Sequence, residues 1–213
     1  LTILAFILLQ KLKSPFLQFI LTANHLFLST SITLFIYSIG YGFDPFLHQA
    51  AESIIDQQGS VLPKTPYYLG QYSLVVLLHK LLGFSLLWID RLLVPVLFSL
   101  GAPLLIILGL DQKERVNFSF PLTWLALILL VVPFSALLVT TPQGLGNVFF
   151  LFLVISFFTS FFSQSYTIPN WLLVLFTLAA LMTHPLVGIP AFILLALGLY
   201  EKYKDQLSLP QFA

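Results

Sequence analysis

The chain alternates between long apolar runs and short polar breaks. The runs last about 15–25 residues, whereas a strand of a membrane barrel alternates apolar and polar positions over roughly ten residues. Because only a helix satisfies its own backbone hydrogen bonds in lipid, we predict membrane-spanning helices. The predicted spans cover approximately residues 16–39, 92–110, 120–139, 147–163, 170–183 and 186–200.

The longest break in the apolar pattern is residues 41–66, YGFDPFLHQAAESIIDQQGSVLPKTP. Within it, the segment 46–58 is predicted to be helical. Asp44 stands where a helix N-cap is expected, and Pro45 takes the first helical position. Gly59 then provides a residue that commonly ends a helix.

The helix predicted at 46–58 has an apolar side and a polar side. Phe46 and Ile54 belong to the apolar side. His48, Glu52 and Asp56 follow one another at intervals of four residues on the polar side. A helix of this kind is expected to lie along the membrane surface.

The stretch 67–82 is apolar but short, and positive charge decides whether it crosses. We take Lys11 and Lys13 as cytoplasmic. If 67–82 does not cross, six basic residues lie inside and three outside; if it crosses, the numbers are four and five. Basic residues concentrate in the cytoplasm, so the pattern favours a re-entrant or interfacial segment. Asp44, the 140–147 loop and His184 then face the same, non-cytoplasmic side.

Composition agrees with a membrane protein. The chain has 213 residues, of which 59% are hydrophobic and 8% charged, and its mean hydropathy is +1.00. Soluble domains carry about 25% charged residues. The absence of cysteine excludes disulfides, thiolate catalysis and sulfur-ligated metal sites.

The predicted fold is therefore all-α: a polytopic transmembrane bundle of about six to seven helices. An outer-face juxtamembrane helix follows the first full span, and outer loop and surface helices occupy 41–82. We expect one transmembrane domain over 1–205 in the plasma (inner) membrane. Residues 206–213 are expected to start a missing C-terminal part of a longer protein.

Asp44 is the first candidate for a catalytic residue. A carboxylate at the mouth of a bundle takes a proton from an acceptor hydroxyl, or ligates a divalent cation such as Mg²⁺ or Mn²⁺. His48 and Glu52, one turn apart on the next helix, would complete a metal or proton-transfer cluster. The alternatives are a helix cap for Asp44 and a solvated polar face for the other two.

Candidate substrate-binding groups lie on the same predicted side. Arg91 suits a phosphate best, because its planar fork binds two oxygens; snorkelling to the headgroups is the alternative. Gln143 belongs to an uncharged polar loop suited to hydroxylated ligands, or to a simple turn. His184, which precedes a proline, is a candidate ligand or proton carrier. A structural role is the alternative. Three further candidates contact the phosphate or the substrate: Lys64, Tyr68 and Gln71.

Two motifs resemble a known family. GFDPFLHQAAE at 42–52 resembles the first outer loop of the oligosaccharyltransferase catalytic subunit. KTPYYLGQYSLVVLLHKLLG at 64–83 is similar to the KPPLYYWL…LFG stretch of dolichyl-phosphate-mannose and lipid A aminoarabinose transferases. Arg91 followed by an apolar run matches their Arg-Leu helix start. These motifs, in this order, resemble the GT-C superfamily of membrane glycosyltransferases.

The resemblance implies inverting transfer of a sugar from a polyprenyl-phosphate carrier at the outer face. Asp44 takes the place of the family's catalytic acid, and Lys64 that of a lysine near the lipid phosphate. Where the family often has paired acids, this chain has Asp44 alone, and 140–147 holds no carboxylate. The implied partners are the lipid-linked sugar donor, an unknown acceptor and the bilayer, with no nucleic acid.

Two other classes remain open. A transporter or flippase for a lipid-linked or small polar substrate would carry its polar residues at mid-bilayer depth. A non-catalytic membrane scaffold would need none of the candidate residues.

Overall fold

The computed structural model describes residues 2–36, 44–60, 68–109, 135–162 and 168–207. These residues form helices and no strand, which confirms the predicted all-helical class for the described part of the chain. Most of the predicted span at 120–139 lies outside the described residues, as do Lys64 and the last six residues. In chain order the helices are α1 (Thr2–Lys11), α2 (Pro15–Ile36), α3 (Asp44–Gln58), α4 (Leu69–Leu82), α5 (Leu86–Gly109), α6 (Ser135–Leu138), α7 (Pro142–Phe162), α8 (Asn170–Thr183) and α9 (Pro185–Leu207).

Among the described residues, three helical segments are long and apolar enough to cross a membrane. They are Leu86–Gly109 in α5, Pro142–Ser160 in α7 and Pro185–Lys204 in α9. Helix α2 has 22 residues, which gives a length of about 33 Å at 1.5 Å per residue. Its interior face is more polar than those of the other long helices, since Gln18, Thr22 and His25 are buried.

The long helices pack side by side in one bundle. α2 packs on α5, α5 on α7, and α7 on both α8 and α9. Buried apolar side chains fill the centre, among them Val94, Phe98 and Leu153. Two glycines bring helices close: a Cβ on Gly101 of α5 would lie 2.3 Å from the Phe152 ring of α7, and one on Gly198 of α9 would lie 2.1 Å from Phe157.

The close contacts at the glycines also show in which direction the helices run. Gly101 and Gly109 of α5 face Phe152 and Thr159 of α7, so the two helices run in the same direction. Gly146 of α7 lies near Val187 of α9. α5, α7 and α9 therefore all begin at one end of the bundle, which we call the upper end, while α8 returns to it.

Helix α4 stays at the upper end. It has 14 residues, about 21 Å of helix and short of a hydrocarbon core of about 30 Å. Gly83, with φ of 71°, closes it by donating its N–H to the carbonyl of His79. Near the other end of α4, the Gln71 side chain reaches Asp90, in the second turn of α5. Both ends of α4 therefore lie near the start of α5. That 67–82 does not cross the membrane stays a prediction.

Three predicted boundaries differ from those observed by five residues or more. α5 begins at Leu86 and not at 92, and α9 continues to Leu207 beyond 200. α7 begins at Pro142 and not at 147, so most of the predicted polar loop is helical. The reason is a local cap: the Gly144 N–H donates to Thr141 Oγ1 at 3.0 Å, and Pro142 fits the first helical position.

Gly70 sets how closely α4 approaches α8, which gives a first prediction. A Cβ at this position would lie 2.7 Å from the Met182 carbonyl carbon and oxygen and 2.9 Å from Thr183 N. Backbone atoms move out of a steric clash less readily than the end of a flexible side chain does. Gly70→Ala is therefore expected to lower the free energy of unfolding by about 1–3 kcal/mol. Thermal unfolding in detergent measures this. The control Ser73→Ala lies on an exposed part of α4, and equal stability of the two variants would contradict the close packing.

Candidate functional site

The polar side of α3 faces the protein and not water. Glu52 is 0% exposed, and His48 is half-buried. Asp56 forms an ion pair with Lys80 of α4, with Oδ1 3.4 Å from Nζ. The apolar residues Phe46 and Ile54 are exposed instead. The alternative of a solvated polar face is therefore wrong for Glu52, because a buried polar stripe finds its partners inside the protein.

A buried hydrogen-bond network joins three parts of the chain around Gln71. Its Nε2 donates to Glu52 Oε1 at 3.0 Å, to the Thr140 carbonyl oxygen at 3.4 Å and to Asp90 Oδ1 at 3.5 Å. Gln49 Nε2 donates to the other Asp90 oxygen at 2.8 Å. Glu52, Gln71, Asp90 and Thr140 are each no more than 2% exposed. We call these residues, with Gln49, the carboxyl cluster.

Glu52 holds a proton at neutral pH. Burial, followed by the negative charge of Asp90, raises the pKa of Glu52 to about 9, although the hydrogen bond from Gln71 lowers it. Two buried carboxyls in contact repel when both are ionised, so the pair shares one proton. Two amide side chains, those of Gln49 and Gln71, donate to Asp90.

Beside the carboxyl cluster lies a group of four rings from α3, the start of α4 and the α8–α9 junction. His48 Nδ1 lies 2.8 Å from Tyr72 Oη. The Tyr68 ring stands edge-on to His48, with centroids 5.6 Å apart, and stacks on His184 at 5.7 Å. We call His48, Tyr68, Tyr72 and His184 the ring cluster.

Two members of the ring cluster, Tyr72 and His184, are uncharged at neutral pH. Burial, followed by the charge of Glu52, raises the pKa of Tyr72 to about 12, so its hydroxyl keeps its proton. The hydrogen bond between this hydroxyl and His48 Nδ1 takes its direction from the His48 tautomer. Burial lowers the pKa of His184. His184 Nδ1 is buried and has no hydrogen-bond partner among the described residues. Such rings and ring nitrogens suit a hydroxylated ligand that both stacks and hydrogen-bonds.

The predicted site residues do not all fall in these clusters. The structure brings together His48, Glu52, Tyr68, Gln71 and His184. Asp44 is exposed at the start of α3, one turn before His48. Arg91 is half-buried in α5, with its guanidinium carbon 5.7 Å from the Trp88 ring centroid. Gln143 is exposed in the first turn of α7.

A metal role for Asp44 stays a prediction. Among the described residues, no group of three or more histidine, aspartate or glutamate side chains is arranged to hold a metal ion. Asp44 itself stands apart from the two buried carboxyls, since it is exposed and they are not. Its role as a proton acceptor needs no partner carboxylate.

Asp90 is the residue that the sequence analysis missed. Its signal was present, because it interrupts the apolar run LLWIDRLLVPV, and an ionisable residue in a membrane helix marks function by default. Gln49 and Tyr72 were also outside the predicted site. Gln49 gave no such signal, since one amide on a mixed helix is unremarkable.

No protein-family model, curated protein or solved structure matches the chain. The resemblance to the GT-C superfamily therefore rests on the sequence alone: on the motifs at 42–52 and 64–83 and on the Arg-Leu pair at Arg91.

Proposed function

We propose that the chain is a multi-pass membrane glycosyltransferase of GT-C type. It transfers a sugar from a polyprenyl-phosphate carrier to an acceptor at the non-cytoplasmic face. The observation that carries the proposal is convergence: side chains from α3, from the start of α4 and from the α8–α9 junction contact one another at one end of an apolar bundle. Each of those stretches was predicted to face the same side of the membrane.

The distribution of basic residues supports the orientation. Lys202 of α9 donates to Asn170 Oδ1 at 2.8 Å, and Asn170 begins α8. His184 follows the other end of α8. Lys202 and Lys204 thus lie away from the upper end, at the end expected to face the cytoplasm. The two clusters then face outward, where polyprenyl-phosphate sugars are used in the family that the chain resembles.

The predicted catalytic acids differ in their exposure to solvent, and we infer different roles for them. Glu52 is buried and protonated, so it is unsuited to accept a proton from an incoming hydroxyl. Asp44 is exposed and one helical turn from His48, so an acceptor reaches it from outside. In our proposal Asp44 is the general base, the ring cluster positions the sugar, and Arg91 with Lys64 holds the lipid phosphate. The carboxyl cluster fixes α3 and α4 in place.

Sugar transfer in washed membranes tests the proposal. Membranes carrying the chain receive a panel of polyprenyl-phosphate hexoses and are compared with membranes that lack it. Asp44→Asn is expected to lower transfer by at least about a hundredfold, as loss of a general base does. Asp56→Asn removes an acid from the same helix without touching either cluster, and should transfer as the unchanged chain does. Equal transfer by the two variants would refute the role of Asp44.

A transporter is the second candidate, and the carboxyl cluster favours it. Buried ionisable groups between helices mark ion or proton pathways in membrane proteins. Reconstitution into proteoliposomes distinguishes a transporter from a glycosyltransferase. Accumulation of a solute that survives Asp44→Asn would favour transport over sugar transfer.

A further inference from the structure

Helix α2 carries a polar side chain on its outer face. Asn24 is exposed, whereas its neighbours Ala23 and His25 are buried. Asn24 is the tenth of the 22 residues of α2, so it lies about 14 Å from one end of the helix and about 18 Å from the other. α2 packs along α5, which is long and apolar enough to cross a membrane. With α2 across the membrane, as predicted, Asn24 lies near the middle of the bilayer.

The side chains that surround Asn24 on this face are apolar. Exposed positions recur every four residues and form one ridge along the helix, which we call the outer ridge: Phe16, Ile20, Asn24, Leu28, Ile32 and Ile36. Lipid tails neither donate nor accept hydrogen bonds. An amide in the middle of this ridge is therefore costly unless another polar group reaches it.

One N–H of the Asn24 amide is satisfied within α2. Nδ2 donates to the Ile20 carbonyl oxygen at 2.9 Å. A carbonyl oxygen only accepts, so this contact fixes which end of the amide is the nitrogen. The second N–H and Oδ1 remain, and no described residue supplies a partner for either. The outer ridge thus offers one donor and one acceptor at the same point.

We propose that the outer ridge binds a second copy of this chain, and that the two Asn24 side chains pair across the interface. Copies inserted in the same direction are related by a two-fold axis along the membrane normal, so identical positions meet at the axis. Each Asn24 N–H then donates to Asn24 Oδ1 of the other copy. The pairing uses the remaining donor and the remaining acceptor on both sides and needs no other polar residue.

The shape of the outer ridge supports the same partner. Side chains four residues apart form the ridges that interdigitate when two helices cross at about −50°. With the crossing point at Asn24, Ile20 and Leu28 flank the amide pair and exclude lipid from it. The outer ridge contains no residue of the carboxyl cluster or the ring cluster. The proposal therefore holds whether the chain is a glycosyltransferase or a transporter.

Cross-linking tests the interface, because the chain has no cysteine of its own. Ile20→Cys and Leu28→Cys are introduced singly, and each full chain is purified, reconstituted into liposomes and treated with a short bis-maleimide. Leu178→Cys on α8 is the control, since Leu178 is 51% exposed and Leu28 48%. We expect the two α2 variants to give severalfold more cross-linked dimer than the control at high lipid-to-protein ratio. Equal yields from all three variants, or monomers throughout, would overturn the proposal.

A further variant tests the amide pair itself. Asn24→Leu removes the donor and the acceptor at an exposed position, so the packing inside the bundle is kept. Energy transfer between donor-labelled and acceptor-labelled copies in liposomes measures the dissociation constant as lipid is added. We expect Asn24→Leu to raise this constant about three- to thirtyfold, the range for one polar contact between membrane helices. Leu178→Ala should leave it unchanged. A dissociation constant for Asn24→Leu equal to that of the unchanged chain would overturn the pairing.

Discussion

Replacement of Gln71 by leucine is expected to lower the free energy of unfolding by about 2–6 kcal/mol, because it leaves two buried oxygens without a donor and each costs about 1–3 kcal/mol. Gln71 is the one described donor to Glu52 Oε1 and also contacts the Thr140 carbonyl. Leucine has a similar volume and no donor. It leaves both oxygens buried and unpaired, and it leaves Asp90 with Gln49 as its amide donor.

Gln57→Leu is the matched control for this prediction. Gln57 lies on an exposed part of α3 and donates only to Ser53 Oγ at 3.3 Å, as far as the described residues show. Its loss should change stability by less than about 0.5 kcal/mol. Unfolding of the two variants is followed by circular dichroism in mild detergent. If Gln71→Leu were as stable as Gln57→Leu, the network would not hold α3 and α4 on α5.

Glu52→Gln is expected to stabilise the chain at neutral pH. The pKa of Glu52 rises from an ordinary value of 4.5 to about 9 on folding. Between these two values the unfolded chain has lost the Glu52 proton and the folded chain has kept it. The free energy of unfolding therefore falls as the pH rises through this window, and levels off above about 9.

Glutamine resembles the protonated acid but does not titrate, so it removes this fall of the unfolding free energy with pH. At pH 7 the gain in stability is about 3 kcal/mol, at roughly 1.4 kcal/mol for each pKa unit. Unfolding free energies measured from mildly acidic to alkaline pH check it. Glu201→Gln, at an exposed position of α9, should keep the pH dependence of the unchanged chain. A Glu52→Gln variant with the same slope as the unchanged chain would show that Glu52 is ionised in the folded state.

The apolar pattern was enough to place the described helices but not all of their ends. α8 was predicted at 170–183 and is observed at Asn170–Thr183. The start of α7 was placed too late, because Pro142 and Thr141 read as a polar loop until the cap is seen. The position of an apolar run in the sequence indicates the middle of a helix, whereas hydrogen bonds of single side chains decide where the helix begins.

The site was harder to predict than the fold, and α3 shows why. Its periodicity correctly separated Glu52 from Phe46 and Ile54. Periodicity alone does not say which side faces water, lipid or protein, so a functional cluster and a solvated polar face both stayed open for Glu52. The partners that turn Glu52 inward, Gln71 and Asp90, come from distant segments. Asp90 in an apolar run was the available clue.

The common direction of α5, α7 and α9 has an electrostatic consequence. Each helix carries a partial positive charge at its first turn, and these three first turns meet at the upper end. α8 brings its negative end to the same place, and the three positive ends outnumber it. The backbone of these four helices therefore contributes a net positive charge at the upper end. An anionic headgroup that reaches the upper end would be attracted by this charge, and neutralising Arg91 would weaken the attraction without abolishing it.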